Sequence, residues 1–374
     1  MKKVIALIIA VLIFCPVLFA AQDANQLNWA QTAVKDLDYM YQMYRDNHAG
    51  GIDPENPGFN KELEKEYKKA RKKALKAKTE LDYQKALVSF LAPFKDGHMR
   101  VQFNNKSFAR FFFKKSLLKN LKELRKPLSY EEFGGDNVWI FLNTFGGPSK
   151  IFADFAPEIE KLKDKNIIVL DLRYNGGGNS YSGYRILYSL YGKDYISYIK
   201  QKVEENQRWY YRVTQWSLDS LKKAHKFYGG DEKTEKSMED ALSKGEDIYW
   251  PDAESNEKSS PALAADNLHA KIYVLTDNFC FSACLMFMDV IRGTGDIVQI
   301  GRETGGDTKY MQMWNEDLPS GLGNFSISYT GILNRPRKDN EVYKPDYKYK
   351  DDMDDTKAIQ SWVIELDKKL KKKS

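Results

Sequence analysis

The stretch TDNFCFSAC, residues 276–284, sets a single hydroxyl, Ser282, in apolar surroundings just ahead of LMFMDVIR, which has helical character. A serine at that junction sits where free backbone N–H groups and the helix dipole favour a developing negative charge, the setting a nucleophile needs. Its neighbours Cys280, Ala283 and Cys284 are small and leave room for a carbonyl group. An ordinary helix N-cap calls for the same residue in the same place, so both readings stand on this stretch alone. A second candidate is DLRYNGGG, where Gly176, Gly177 and Gly178 follow an apolar strand and allow a tight turn with its N–H groups exposed. It lacks the lysine and Ser/Thr of a phosphate-binding loop and the spacing of a dinucleotide fingerprint. A third is His98 in FKDGHMRV, one of four histidines, placed after a helix and at the entrance of a strand. Such a histidine serves structure as readily as chemistry; His48, His225 and His269 are read as structural or surface residues. Cys280 and Cys284 have no further metal-ligand partners at zinc spacing and read as small buried packing residues. No metal and no cofactor are called for.

These residues need elements to hold them. Residues 27–96 read as a helical N-terminal domain. TAVKDLDYMYQMYRDNHAG repeats Val34, Leu37, Met40, Tyr41 and Tyr44 at helical spacing, and GFNKELEKEYKKARKKALKAK is a charged second helix. TELDYQKALVSFLAPF opens on a Thr79 cap and repeats Leu81, Ala86, Leu87, Phe90 and Leu91. Beyond Phe94 the pattern becomes strand, helix, strand: HMRVQF, NVWIFLNTF, IFADFAPEIEKLKDK and NIIVLDLRYNGGG, then AKIYVLTDN, SACLMFMDVIRGTG and DIVQIGRETGGD. Repeated βα units imply a buried sheet covered by helices, an α/β (α+β) chain over 97–374. Residues 183–262, aromatic-rich and then polar, read as an insertion that lies over a site or merely decorates the surface.

Composition limits the possible partners. The chain has 374 residues, 42% hydrophobic and 13% aromatic, enough to build a large core. Of the formal charge of +6, Lys2 and Lys3 supply +2 and the terminal KKLKKKS +5, which leaves −1 on the body. A near-neutral body is a poor footprint for a polyanion, so no nucleic acid is expected as partner. MKKVIALIIAVLIFCPVLFAA reads as a secretory signal peptide over residues 1–20, with an uncleaved anchor as the rival. The mature protein is then expected to have no stable membrane span and to be exported, periplasmic or extracellular. Oligomeric state cannot be read from this pattern.

The blocks DGHMRV, VWIFLNTFGG, NIIVLDLRYNGGG, KIYVLTDNFCFSACLMFMDVIR, VQIGRETGGDT and VYKPDYKY resemble, in that order, those of the tail-specific (C-terminal-processing) serine proteases, most closely their tricorn-core branch. The resemblance covers roughly residues 30–365. It implies a ClpP/crotonase-like ββα spiral core with a helical N-terminal domain, and hydrolysis of peptide bonds in a peptide or protein substrate by a secreted serine-type endopeptidase. Ser282 falls where the family places its nucleophile. The lysine base of the tail-processing branch is replaced by Asp307, and the tricorn-like alternative points to His98 as base. Gly97 stands where some members carry a serine. A glutamate ahead of a GVxPD-like block orients the histidine; KDNEVYKPD offers Glu341 and Asp339. The N–H of Ala283 and that of Gly176 or Gly177 are the corresponding oxyanion donors, each able to lower a barrier by about 3 kcal/mol. Too few residues separate Arg100 from Asn137 for the PDZ domain of many relatives. Two rivals accompany this reading: a degenerate protease acting as a scaffold, and a binder of apolar ligands with Trp209, Tyr210, Tyr211 and Trp216 lining its cleft.

Overall fold

A computed structural model describes residues 27–104, 128–251 and 268–372. The signal-like segment 1–20, residues 252–262 of the segment read as an insertion, and the last two residues of the basic tail lie outside the described residues. Three helices open the fold: α1 (Trp29–Asn47), α2 (Phe59–Ala74) and α3 (Glu80–Leu91). Asn28 caps α1 by accepting from the N–H of Gln31. Thr79 and Asp82 exchange side-chain and backbone bonds in a capping box at the start of α3. The buried stripe of α3 runs through Tyr83, Ala86, Leu87, Phe90 and Leu91, and Leu81 falls off it, 42% exposed. Tyr83 takes the core position because it lies three to four residues before Ala86 and Leu87, on their face.

The six-stranded sheet runs in the order β11-β8-β7-β4-β3-β2, with β2 at Ser129–Phe133, β3 at Asn137–Phe141, β4 at Ile167–Asp171, β7 at Lys271–Thr276, β8 at Ile297–Gly301 and β11 at Tyr347–Lys348. Every pairing is parallel except that of β2 with β3. Its strands are apolar on both faces because both are covered. Val138, Ile140, Ile168, Leu170, Ile272 and Val274 face the layer of α4 (Ser149–Glu160), α5 (Ser180–Tyr191), α6 (Lys193–Glu204) and α9 (Ala283–Gly293). The alternate residues Trp139, Val169, Tyr273, Leu275 and Ile300 face α10 (Thr356–Lys371).

The second sheet is antiparallel and centres on the eleven-residue β10 (Gly323–Leu333). It pairs with β9 (Tyr310–Asp317), with β1 (Val101–Phe103) at one end and with β5 (Arg208–Arg212) at the other, and β6 (Ile248–Tyr249) lies outside β5. Leu37, Met40, Tyr44 and Phe90 of the opening helices share one core with Tyr210, Tyr310, Phe325 and Ile327 of this sheet. The Tyr44 hydroxyl donates to the carbonyl of Ser326 at 2.8 Å. Residues 183–262 therefore do more than decorate: they contribute β5, β6 and the helices α7 (Gln215–Tyr228) and α8 (Glu232–Ser243). Three of the four aromatics named for a ligand cleft are engaged in packing or hydrogen bonds. Tyr210 is fully buried, Tyr211 packs with Val213, Leu218 and Leu221, and the Trp216 indole donates to Glu316 at 2.9 Å. Among the described residues no helix is long and apolar enough to cross a membrane.

His48 lies wholly within the helix–sheet core, stacked on Phe59 with ring centroids 4.8 Å apart, and its Nδ1 accepts from the N–H of Gly50. His225 pairs with Glu235 at 2.7 Å, and His269 is exposed. Burial pushes the His48 pKa from 6.5 down to about 3. Between those values the unfolded chain binds a proton at this site that the folded chain refuses, so the stability owed to His48 is complete above pH 6.5 and is lost as pH falls toward 3. The loss approaches about 1.4 kcal/mol per pH unit. In urea titrations at pH 7 and pH 5, His48→Gln is expected to lose less stability over that interval than the wild type; equal losses would contradict the assignment.

Candidate active site

Strands β4 and β7 are parallel neighbours, so their C-terminal ends lie side by side and the two turns that follow them meet. The carboxylate of Asp277, at the end of β7, accepts from the N–H of Phe279 at 2.9 Å and from that of Tyr174, in the other turn, at 3.1 Å. Burial pushes this carboxyl up to about 6, against the pull of those donated bonds. Asn175 ties the turns further: its carbonyl accepts from the N–H of Phe281, and its side chain bonds Leu142 and the N–H of Gly177. Gly177 is held at φ +91°, and a Cβ there would lie 2.7 Å from the carbonyl oxygen of Phe281 and 2.9 Å from the Cβ of Ser282. Only glycine permits this approach.

Ser282 occupies the residue before α9 with φ 58° and ψ −124°, a backbone region costly for a residue with a side chain, on the order of 1–3 kcal/mol. Its side chain makes no capping bond to the helix. Instead Oγ stands 3.0 Å from Nε2 of His98, across 184 residues of sequence. The N-cap reading of this serine is thereby excluded. The strained turn aims the hydroxyl away from the helix and toward the imidazole.

His98 reaches this point from the other sheet. The chain leaves α3 through a short 3-10 turn, Ala92–Phe94, and Lys95 at φ 50° redirects it. Asp96 then accepts from the N–H of His98 at 2.8 Å, and the carbonyl of His98 accepts from the hydroxyl of Ser326 on β10 at 2.6 Å. The imidazole packs against Phe281, ring centroids 4.8 Å apart. A Cβ on Gly97 would come within 2.5 Å of the same phenyl ring, which favours glycine at this position.

The acid beside His98 is neither of the two expected from the sequence. Asp96 Oδ1 lies 3.7 Å from His98 Nδ1, an atom with no hydrogen-bond partner among the described residues. The other oxygen of Asp96 accepts from the Thr308 hydroxyl at 2.8 Å. Burial raises the Asp96 pKa, while the charge and N–H of His98 and the Thr308 hydroxyl pull it back. Glu341 accepts instead from the N–H of Lys338, and Asp339 from the N–H of Lys309 and the Arg335 guanidinium, so neither reaches the imidazole. Asp307 is fully buried between Arg335 and Arg337, each at 2.7 Å, and Arg337 also binds Asp289. That ion cluster fixes the segments around 307 and 335–341 near the site without offering a base. The signal for Asp96 was present in the sequence as the Asp-Gly of KDGH, a turn dipeptide whose carboxylate folds back on the N–H two residues on.

Of the oxyanion candidates, Ala283 opens α9, and its N–H has no partner among the described residues. The N–H of Gly177 is spent on Asn175 Oδ1 at 2.9 Å; that of Gly176, an exposed residue, has no partner among the described residues. Cys280 and Cys284 are fully buried as expected, but they are joined to each other in a disulfide that brackets Ser282. Their role as separate packing residues is corrected accordingly. Four-residue spacing alone left that pairing open, because a regular helix holds residues i and i+4 too far apart and only the non-helical turn at 280–282 brings them together. No group of three or more His, Cys, Asp or Glu able to hold a metal ion occurs among the described residues.

The chain is similar to several solved structures. A mature CPAF structure in complex with lactacystin matches 91% of this chain and 97% of its own at 13% identity, with a TM-score of 0.54. The tricorn protease matches 91% of this chain and 37% of its own at 12% identity and a TM-score of 0.48. A lipoprotein from Streptococcus agalactiae matches 90% and 97% at 11% identity and a TM-score of 0.45. No curated protein sequence matches significantly. The CPAF likeness bears on the fold alone. The family model for peptidase family S41 matches residues 138–330, the stretch that carries both meeting turns and Ser282. That span is more than half of the chain, which therefore belongs to peptidase family S41.

Proposed function

We propose that the protein is an active serine endopeptidase in which Ser282 is the nucleophile and His98 the general base. The observation that carries this reading is the 3.0 Å contact between Ser282 Oγ and His98 Nε2, made by a serine that does not cap its own helix. An unassisted hydroxyl is a weak nucleophile near neutral pH, and neutral His98 accepts its proton as Oγ attacks the scissile carbonyl. The charge that develops on the carbonyl oxygen meets the N–H of Ala283, that of Gly176 and the positive end of the α9 dipole. The imidazolium then gives its proton to the leaving amine, and a water activated by the same imidazole releases the acyl group.

Asp96 is the positioning acid. At 3.7 Å its Oδ1 is too far from Nδ1 for a hydrogen bond, yet in a buried site a carboxylate at that separation still stabilises the imidazolium, and a small ring rotation closes the bond. The signal-like leader at 1–20, with a disulfide in the body, supports an exported enzyme, periplasmic or extracellular. A ligand-binding alternative is weakened by the burial of Tyr210 and Tyr211 in the cores, with Trp209 and Trp216 half-buried.

The test is covalent labelling by a fluorophosphonate probe, alongside cleavage of an internally quenched peptide blocked at both ends. Wild type is expected to label and to cleave; Ser282→Ala is expected to do neither, and His98→Ala to lose at least about a hundredfold in rate. Labelling that survives Ser282→Ala, or wild-type protein that neither labels nor cleaves, would remove the proposal. For Asp96→Asn, kcat is expected to fall roughly a hundredfold, with the acid limb of the pH–rate profile displaced to lower pH because the imidazolium has lost its counter-charge. A fall in kcat with an unmoved acid limb would mean that Asp96 serves the fold only.

A further inference from the structure

Resting on the assignment of Ser282 as nucleophile, we infer that the Cys280–Cys284 disulfide is a covalent positioning device for that residue and makes the activity dependent on the oxidation state of the protein. The bond encloses three residues, Phe281, Ser282 and Ala283. Each has a different task at the site. Phe281 supplies the ring against which His98 is seated, Ser282 the hydroxyl, and Ala283 a free N–H at the start of α9.

Ser282 is also one of six non-glycine residues with positive φ among the described residues. A turn of this kind relaxes when nothing holds it, because an alternative with negative φ lies within reach of any residue with a Cβ. Noncovalent bonds fix the turn on its upstream side: Cys280 donates its N–H to the carbonyl of Asp277 and accepts from Gly305, and Phe281 donates to Asn175. Downstream the hold is the helix itself, through the bonds from Leu285 and Met286 to the carbonyl of Ser282. The disulfide ties these two anchored sides directly, from the residue two before the serine to the residue two after it. Relaxation of φ at Ser282 would require the sulfurs to separate. Restriction of the chain by a short covalent ring acts on the alternatives to the native turn.

Reduction by a dithiol transfers two electrons and two protons to the pair, giving two thiols, and the dithiol leaves as its cyclic disulfide. Both sulfurs belong to fully buried residues, so reduction is expected to be slow and to require local opening. Once reduced, the turn samples conformations in which the hydroxyl leaves His98. The rate of the chemical step falls while the cleft that binds substrate is left in place.

The experiment uses the full chain. Alkylation under denaturing conditions without reductant should find Cys280 and Cys284 unmodified in the purified protein, and modified after dithiothreitol. Fluorophosphonate labelling and peptide cleavage are then followed for the oxidised protein, the reduced protein and the Cys280→Ser/Cys284→Ser variant, with circular dichroism to confirm that each is folded. Reduced protein and variant are expected to label at least tenfold more slowly, with kcat lowered and KM little changed, and reoxidation should restore the wild type but not the variant. Should the variant not fold, reduction and reoxidation of the wild type carry the test. Equal labelling rates in oxidised and reduced protein, free thiols at both cysteines in the purified oxidised protein, or a loss confined to KM would overturn the inference. If oxidised wild type fails to label at all, the nucleophile assignment itself falls, a result separate from equal labelling in both states.

Discussion

Two parallel strands ending side by side determine most of what this molecule can do. The turn after β4 carries the glycines and the turn after β7 carries Ser282, and both leave the sheet at the same end, where the carboxylate of Asp277 and the backbone carbonyl of Asn175 bind them together. Neither turn is stable alone in its observed form. Tyr174 and Ser282 both have positive φ, and Gly177 tolerates its conformation only because it has no Cβ to strike the Phe281 carbonyl. The strain is sustained by the doubly covered sheet behind it, whose strands have no freedom to separate.

The imidazole arrives from a different layer. His98 is held by the antiparallel sheet, through Ser326, and by the turn that follows α3, while Ser282 belongs to the parallel sheet. Their meeting therefore depends on how the two sheets sit together. The buried cluster of Asp289, Asp307, Arg335 and Arg337 lies at that junction, joining α9 to the segments that flank β9 and β10. Removing one member of such a cluster leaves an uncompensated buried charge, which is strongly destabilising, so the four partners keep one another in a single arrangement. Asp307, fully buried between two guanidinium groups, is given over to structure.

The active-site assignments rest on residues of unequal legibility. Ser282 was visible as a hydroxyl at a strand-to-helix junction, but a capping role fitted the same letters; only φ 58° and the absence of a capping bond separate the two. Asp96 stands two residues before His98 in sequence, yet its place beside the ring depends on an Asx-type turn that curls the carboxylate under it, and sequence offers many such dipeptides that do not. Glu341 had the matching chemistry and Asp339 the better register, and they were claimed by the Lys338 and Lys309 N–H groups and by Arg335.

Local pattern alone fixed the element types: the apolar runs of the strands, the helical stripes of α1 and α3, the cap at Thr79, and the glycine turn at 176–178, because each depends on interactions within a few residues along the chain. The tertiary structure decided which residues meet. It placed His98 against Ser282, joined Cys280 to Cys284, put β5 and β6 of the 183–262 segment into the second sheet, and gave His98 an acid other than the expected one. Those outcomes depend on packing between layers and on contacts across 184 residues of chain, where many arrangements satisfy the local pattern equally and the fit of buried surfaces and paired charges selects one.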